Sequence, residues 1–136
     1  MSDFTIPGEP VAKGRARSFI RNGRIAHHTP EKTVNYESLV ALAAQTAMRG
    51  RPLIVGPVQM TLTAYFSIPK SWSKKRREAN RTAHEWVAKR PDADNVAKSV
   101  CDGMNGIVWV DDSQVAKLAV IKVYAETPGV HVMLFQ

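Results

Sequence analysis

The segment from residue 59 to residue 68 alternates strictly between polar and apolar side chains. Its apolar members are Met60, Leu62, Ala64, Phe66 and Ile68, and Thr61, Thr63, Tyr65 and Ser67 lie between them. A period of two predicts a β-strand with one buried face, and Pro69 ends it because proline cannot continue a strand ladder. A strand buried on one face needs neighbouring strands and a covering layer, so the chain must fold around a sheet.

Shorter patterns predict the other elements. The expected strands are residues 4–6, 107–110, 115–124 and 130–135, with a hairpin turning at Asn22-Gly23. The expected helices run from Thr29-Pro30 to Gly50, from Lys74 to about His84 after Ser71 or Ser73, and from Asn95 to Met104 with Asp94 as cap. This order predicts an α+β fold, in which a mixed β-sheet is covered by helices on one face, as a single compact domain over residues 1–136.

Composition excludes several classes of protein. The 136 residues are 44% hydrophobic, enough for one modest core. A single cysteine, Cys101, excludes a disulfide framework and a Cys-based zinc site. No apolar run approaches the roughly 20 residues of a membrane span, and the first residues lack a signal-peptide pattern. We therefore expect a cytoplasmic protein with no membrane partner, and its net charge of +7 indicates a polyanionic partner.

Charge is distributed unevenly along the chain. Of the 19 Lys and Arg residues, five lie between residues 13 and 24, and eight lie between residues 70 and 90. Five of the 12 acidic residues lie between Asp92 and Asp112, where Lys98 is the only cation. Solvated surface charge explains any one of these residues, but their segregation indicates an acidic pocket within a basic protein.

Two pairs of aspartates flank the lysine of this acidic segment. Asp92 and Asp94 lie two residues apart, so in an extended segment their carboxylates point to the same side. Lys98 and Asp102 follow Asp94 at intervals of four residues, which places all three on one face of a helix. The second pair, Asp111-Asp112, follows the expected strand 107–110.

Converging carboxylates repel one another unless a cation lies between them. Hard oxygen ligands suit Mg²⁺ or Mn²⁺, which favour phosphate substrates. In a basic protein this combination indicates metal-assisted phosphodiester hydrolysis, with one or two metal ions and with Lys98 stabilising charge on the phosphate or orienting the water. In the alternative interpretation, Asp92 and Asp94 are turn and cap residues and Asp111-Asp112 belongs to a loop. Spacing alone does not decide between a metal site and these structural roles.

Several motifs occur together in this chain. Asp-x-Asp-Asn-x-x-Lys at residues 92–98 is followed by Asp102, a hydrophobic stretch and Asp-Asp-x-Gln-Val at residues 111–115. Gly8-Glu9-Pro10, the run 13–17 and Thr29-Pro30 precede them. Over most of its length the chain thus resembles the RusA family of Holliday-junction resolvases. Ala16 and His28 stand where many members have proline and tyrosine.

The resemblance implies a metal-dependent endodeoxyribonuclease that resolves four-way DNA junctions. It implies metal-binding catalytic aspartates at Asp92, Asp94 and Asp112, with Lys98 assisting and Mg²⁺ as cofactor, or Mn²⁺ in its place. The residues expected to support them are Asn95, Asp102 and Asp111. The resemblance also implies a homodimer that nicks two strands of like polarity symmetrically, encoded by a bacterium or a phage.

The two basic segments are expected to contact DNA phosphates rather than bases. The residues expected to do so are Lys13, Arg15, Arg17, Lys74, Lys75, Arg76, Arg77, Lys89 and Arg90. A solvated helix face is the alternative for residues 74–77.

Two other functions stay open from the sequence: a non-catalytic protein that binds branched DNA, and a metal-dependent nuclease that acts on flaps or RNA. Trp109 and Cys101 are expected in the core.

Overall fold

The fold was obtained as a computed structural model that describes residues 2–12, 17–28 and 31–136, with residues 17–21 and 24–28 described by their backbone. In chain order the elements are β1 (Ser2–Pro7), β2 (Arg17–Arg21), β3 (Arg24–His28), α1 (Glu31–Met48), β4 (Val58–Ser67), α2 (Lys74–Thr82), α3 (Ala93–Met104), β5 (Val115–Ala125) and β6 (Gly129–Phe135). The expected cap Thr29-Pro30 lies outside the described residues.

Four strands form one mixed sheet in the order β1-β6-β4-β5. The predicted alternating strand, β4, occupies a central position, where it pairs antiparallel with β6 and parallel with β5. In this register Met60 lies beside Leu134 on one side and beside Leu118 on the other. The mixed sheet predicted from the sequence is therefore confirmed.

The apolar side chains of β4 form the floor of one hydrophobic core. Met60 and Leu62 are almost completely buried, together with Val40 of α1 and Val100 of α3. Both helices lie on this face of the sheet, as the α+β prediction requires. Trp109 and Cys101 are also buried, which confirms that they belong to the core.

The hairpin predicted at Asn22-Gly23 is present, since β2 and β3 pair antiparallel on either side of it. Asn22 and Gly23 have φ values of 52° and 73°. Positive φ at both central residues is the geometry of a tight turn whose twist matches that of the paired strands. An Asn-Gly sequence adopts it with little strain, which is why the motif is a reliable signal.

The prediction of a strand at residues 107–110 is wrong. After α3 the chain turns back on itself instead, because the amides of Ile107 and Val108 donate to the carbonyl of Met104 and Gly106 donates to Trp109. Val108 and Trp109 are nevertheless fully buried. Their apolar character reflects a turn folded into the core, and a run of four residues cannot distinguish that from a buried strand.

Gly103 lies where α3 packs closely against α1. A Cβ atom added there would lie 2.6 Å from the Cβ atom of Val40. We expect Gly103→Ala to lower the free energy of unfolding by about 1–3 kcal/mol through overpacking, although alanine is the better helix former. Chemical denaturation would measure this. The double variant with Val40→Ala should be destabilised by less than the sum of the two single variants, and a fully additive effect would contradict this close approach.

Candidate active site

The acidic segment begins with the N-terminus of α3. The helix starts at Ala93, two residues earlier than predicted, and Asp92 rather than Asp94 occupies the N-cap position. Asp92 is exposed, and its side chain makes no capping hydrogen bond with the described residues. Asp94 lies in the first helical turn. The extended geometry expected to align the two carboxylates is therefore absent, because Ala93 between them is already helical.

One face of α3 borders a surface cavity. Asp94, Ala97, Lys98 and Cys101 follow one another at the spacing of a single helix face, and all four line this cavity of about 290 Å³. Asp112 closes it from the opposite side, next to Val115 and Leu118 at the start of β5. The structure thus brings Asp94, Lys98 and Asp112 together around one space, while Asp92 is not among its lining residues.

The second acidic pair lies at the start of a short 3₁₀ turn, Asp112–Gln114, and its two carboxylates have different environments. Asp111 caps the turn, and its carboxylate accepts a hydrogen bond from the amide of Ser113 at 3.0 Å. The hydrogen bonds from Ser113 hold the pKa of Asp111 below its usual value. Asp112 instead faces the cavity, with its carboxylate 3.4 Å from the Lys98 ammonium. The two neighbouring acids therefore have different structural positions: Asp111 caps the turn, and Asp112 faces the cavity.

Gln114 fixes this turn to the neighbouring segment of chain. Its side-chain amide donates to the carbonyls of Ile54 and Gly56, at 2.9 and 3.1 Å. Its oxygen accepts from the amide of Val110 at 3.0 Å and, more weakly, from that of Asp111. Both ends of the carboxamide are used, so the turn that carries Asp112 is held from two directions. Gln114 belongs to the motif at residues 111–115, but that motif does not predict its contacts with residues 54 and 56.

Lys98 forms ion pairs with one acid of its own helix and with one acid of the turn before β5. Its ammonium lies 3.0 Å from a carboxylate oxygen of Asp102 and 3.4 Å from one of Asp112. The hydrogen bond to Asp102, with the nearby negative charges of both acids, raises the pKa of Lys98 above its ordinary value. The side chain is therefore a permanent cation at neutral pH. The pairing of Lys98 with Asp102, expected from their spacing of four, is present in α3.

The donor set of the cavity suits a hard divalent cation. Within the described ranges, no three His, Cys, Asp or Glu side chains are grouped so as to hold a metal ion by themselves. Magnesium, however, is commonly held by one or two carboxylates, with water and substrate phosphates completing its coordination. Asp94 and Asp112 supply two carboxylates on one open cavity, so the residues present fit Mg²⁺ or Mn²⁺ bound together with a phosphate.

Cys101 lies at the inner wall of the cavity. Burial, reinforced by the negative charges of Asp112 and Asp102, raises the pKa of its thiol to about 12. Because only the thiolate is nucleophilic, we expect iodoacetamide at pH 8 to alkylate the folded chain about a thousandfold more slowly than an unfolded control in urea. Mass spectrometry of timed samples would measure both rates. Equal rates would show that the α3 face is open to solvent.

The basic residues expected to contact DNA have several different placements. Lys13 and Arg15 lie outside the described residues, and Arg17 is described by its backbone alone. Lys74, Lys75, Lys89 and Arg90 are exposed.

The two arginines of the run 74–77 have internal partners. Arg76 makes two hydrogen bonds of 2.8 Å to Glu85, with its guanidinium 3.8 Å from the centre of the Trp72 ring. Arg77 donates to the carbonyls of Pro69 and Trp72. This run therefore contains two exposed lysines beside two arginines that hold α2 in place.

A basic α+β chain with acids and one lysine around a surface cavity has the features of a phosphodiester-cleaving nuclease. Nearly the whole chain agrees with this class: residues 7–135 match the family model described as "Endodeoxyribonuclease RusA". The chain belongs to the RusA endodeoxyribonuclease family. This confirms the resemblance seen in the motifs, and membership implies an endodeoxyribonuclease that binds and resolves Holliday junctions.

A bacterial relative covers nearly the same length. The "Uncharacterized protein YqaN" of Bacillus subtilis (strain 168) is 42% identical over 133 residues, which make up 96% of this chain and 93% of the relative. Across the part of the chain that the structure describes, none of the helices is both long and apolar enough to cross a membrane.

Proposed function

We propose that this chain is a metal-dependent Holliday-junction resolvase that works as a homodimer. It would nick two strands of like polarity symmetrically, in the cytoplasm of a bacterium or a phage-infected cell. The observation that carries the proposal is the placement of Asp94, Lys98 and Asp112 around one cavity, in a chain whose net charge is +7. Family membership supports the choice of a junction as substrate.

The charged residues of the cavity each have a defined part in this proposal. Asp94 and Asp112 would hold Mg²⁺ or Mn²⁺, and the bound ion would supply an activated water and stabilise the leaving oxygen. Lys98 places a fixed positive charge beside Asp112, where it stabilises negative charge on the scissile phosphate. Asp102 orients Lys98 through their 3.0 Å contact. Asp92 stays a predicted ligand at the N-cap, two residues from Asp94, and Asn95 a predicted supporting residue.

The deciding experiment compares several DNA substrates under one set of conditions. The purified chain is incubated with a mobile four-way junction, a flap, linear duplex and a stem-loop RNA, each with Mg²⁺, with Mn²⁺ and with a chelator. We expect paired nicks in the junction only, and only with metal. Binding of the junction without cleavage in any metal would favour the non-catalytic alternative. Faster cleavage of flaps or RNA would favour the other nuclease.

The run at residues 74–77 makes a separate prediction about binding. We expect Lys74→Ala combined with Lys75→Ala to reduce the slope of log K against log salt by about 0.9 for each phosphate that is no longer neutralised, without changing the melting temperature. Titrations of labelled junction at several salt concentrations measure the slope. Lys32→Ala, an exposed lysine on α1 outside both basic segments, is the control. An unchanged slope in the double variant would make these lysines a solvated helix face.

A further inference from the structure

Two lysines from different parts of the sequence lie together at the edge strand β5. Lys122 belongs to β5, and Lys89 belongs to the segment that precedes α3. The Lys122 ammonium donates a hydrogen bond of 2.6 Å to the carbonyl of Lys89. Both ammonium groups also lie over the Phe66 ring, 5.5 Å from its centre for Lys122 and 5.9 Å for Lys89. We call Lys89 and Lys122 the lysine pair.

The backbone around Lys89 is attached to the edge of β5. The amide of Val87 donates to the carbonyl of Lys122 at 3.0 Å, and the amide of Tyr124 donates to the carbonyl of Glu85 at 3.1 Å. These two hydrogen bonds, together with the one from the Lys122 ammonium, hold the segment against the strand. The lysine pair is therefore positioned by the fold before any ligand binds, which lowers the entropic cost of binding.

The charge of the lysine pair is not neutralised within the described part of the chain. The ion pairs found there join other residues, and neither Lys89 nor Lys122 pairs with a carboxylate. Their neighbours are aromatic instead, since the Lys89 ammonium also lies 5.8 Å from the centre of the Tyr124 ring. The face of an aromatic ring attracts a cation without cancelling its charge. An anion that reaches both ammonium groups would offset their mutual repulsion.

The lysine pair also has unused hydrogen-bond donors. Each ammonium group carries three N–H donors and no acceptor. Among the residues that the structure describes, Lys122 uses one donor on the Lys89 carbonyl, and the exposed Lys89 ammonium uses none. A phosphate group offers several acceptor oxygens and a negative charge, and lysine is a common phosphate ligand in proteins. The chemistry of the lysine pair therefore suits a phosphate.

The lysine pair lies on the same side of the sheet as the candidate active site. Leu118 lines the cavity, and Lys122 follows it by four residues in β5, so both side chains point to the same face. At about 3.3 Å per residue, the two positions are about 13 Å apart along the strand. Lys89 is also close to the site in sequence, because Asp92 caps α3 three residues later.

This separation matches a short length of DNA. Each strand of a duplex carries one phosphate for about every 3.4 Å of helix axis. A single strand therefore spans the distance from the cavity to the lysine pair in about four nucleotides.

We propose that the lysine pair binds one backbone phosphate of the strand that is cut, about four nucleotides from the scissile phosphate. The inference rests on the proposed function, which supplies the DNA strand, and it adds Lys122, a residue outside both basic segments. A backbone contact positions the strand without selecting a base sequence. A fixed anchor at this distance determines which phosphate of the strand enters the cavity.

The first test removes each ammonium group in turn. We expect Lys89→Ala and Lys122→Met each to raise the dissociation constant for a four-way junction about tenfold, because each loses a charge-assisted hydrogen bond. Fluorescence anisotropy with a chelator present measures binding without cleavage. Lys122→Arg keeps the charge and should bind within about threefold of the wild type. Lys32→Ala, an exposed lysine on α1, is the control and should bind as the wild type does.

Lys89→Ala distinguishes phosphate binding from a purely structural role of Lys122. The substitution removes an ammonium group but leaves the backbone carbonyl that Lys122 holds. Lys89 is exposed, so the variant should fold normally. If Lys122 only supported the segment before α3, Lys89→Ala would bind the junction as tightly as the wild type does. That result would overturn the proposal.

The second test locates the phosphate. In a series of junctions, each cut strand carries one neutral methylphosphonate, and its position moves by one nucleotide from one junction to the next. We expect the wild type to bind about tenfold more weakly when the neutral group lies about four nucleotides from the cut. The double variant Lys89→Ala with Lys122→Met should show no further loss there, because its contact is already absent. Equal losses for the two proteins at every position would overturn the proposal.

Cleavage of unmodified junctions separates this inference from the proposed function. A chain that cuts junctions, but shows the same methylphosphonate losses with and without the lysine pair, contradicts the phosphate site alone. A chain that binds junctions through the lysine pair, but cuts none of them in any metal, contradicts the proposed function and leaves the phosphate site standing.

Discussion

Asp94→Asn and Asp112→Asn are expected to reduce junction cleavage by about 1,000-fold or more, equivalent to a loss of roughly 4 kcal/mol of transition-state stabilisation. The two carboxylates line the same cavity from α3 and from the turn before β5. An amide of the same shape removes a negative charge and a hard metal ligand with little change in packing. Rates on a mobile junction under single-turnover conditions, across a range of Mg²⁺ concentrations, would measure the effect.

The same variants should bind junction DNA as tightly as the wild type or more tightly, because one fewer carboxylate repels the phosphates. Retained binding also shows that the fold is intact. Asp111→Asn is the matched control, since its carboxylate caps the 3₁₀ turn and accepts from Ser113. It should cost far less activity.

We also expect a severe loss of cleavage activity for Asp92→Asn, the ligand predicted at the N-cap. Near wild-type cleavage by the Asp92, Asp94 or Asp112 variant would remove that residue from the ligand set.

A mixed dimer should convert resolution into single nicking. One chain contains one set of Asp94, Lys98 and Asp112, so a dimer of wild-type and Asp94→Asn chains has one competent site. On a supercoiled plasmid that extrudes a cruciform, the wild type should give linear product, and the mixed dimer should give nicked circles with at least about 100-fold less linear DNA. Gel electrophoresis distinguishes these products directly.

The control for this experiment is a wild-type dimer carrying the same two affinity tags and purified through both of them. It should produce linear plasmid at the untagged rate. Linear product from the mixed dimer at the control rate would mean that one site cuts both strands or that the chains act independently. Either result would contradict the symmetric dimer mechanism.

Elements with a strong local signal are predicted well from the sequence. The alternation in β4, the Asn-Gly turn and Ser73 before α2 each reflect a local constraint, and the Ser73 side chain does accept a hydrogen bond from the amide of Arg76. The wrongly predicted strand at residues 107–110 has no such constraint. Two of its apolar side chains, Val108 and Trp109, are buried in the core formed by α1, α3 and the sheet, and only the tertiary fold determines that the backbone turns there.

In the candidate site, too, features that depend on local spacing are predicted from the sequence, and features that depend on distant contacts are not. Helical spacing correctly places Asp94, Lys98 and Asp102 on one face, because the interval of four is a property of any helix. The boundary of α3 differs from the prediction by two residues, and Asp92, at the N-cap, is not among the residues that line the cavity. Gln114 was missed as a structural residue because its partners, Ile54 and Gly56, lie about 60 residues earlier in the chain. No local pattern encodes such a contact.

The burial of the single thiol beside the cavity makes the wild-type chain its own reporter of local opening. Cys101 is 6% exposed at the inner wall of the cavity, on the face of α3 that carries Asp94 and Lys98, so a reagent reaches it freely only when the residues around it move apart. When reclosing is faster than reaction, the alkylation rate gives the equilibrium constant for this opening. Repeating the measurement with bound metal or junction DNA would show how strongly each ligand holds the cavity together, with no label or substitution in the protein.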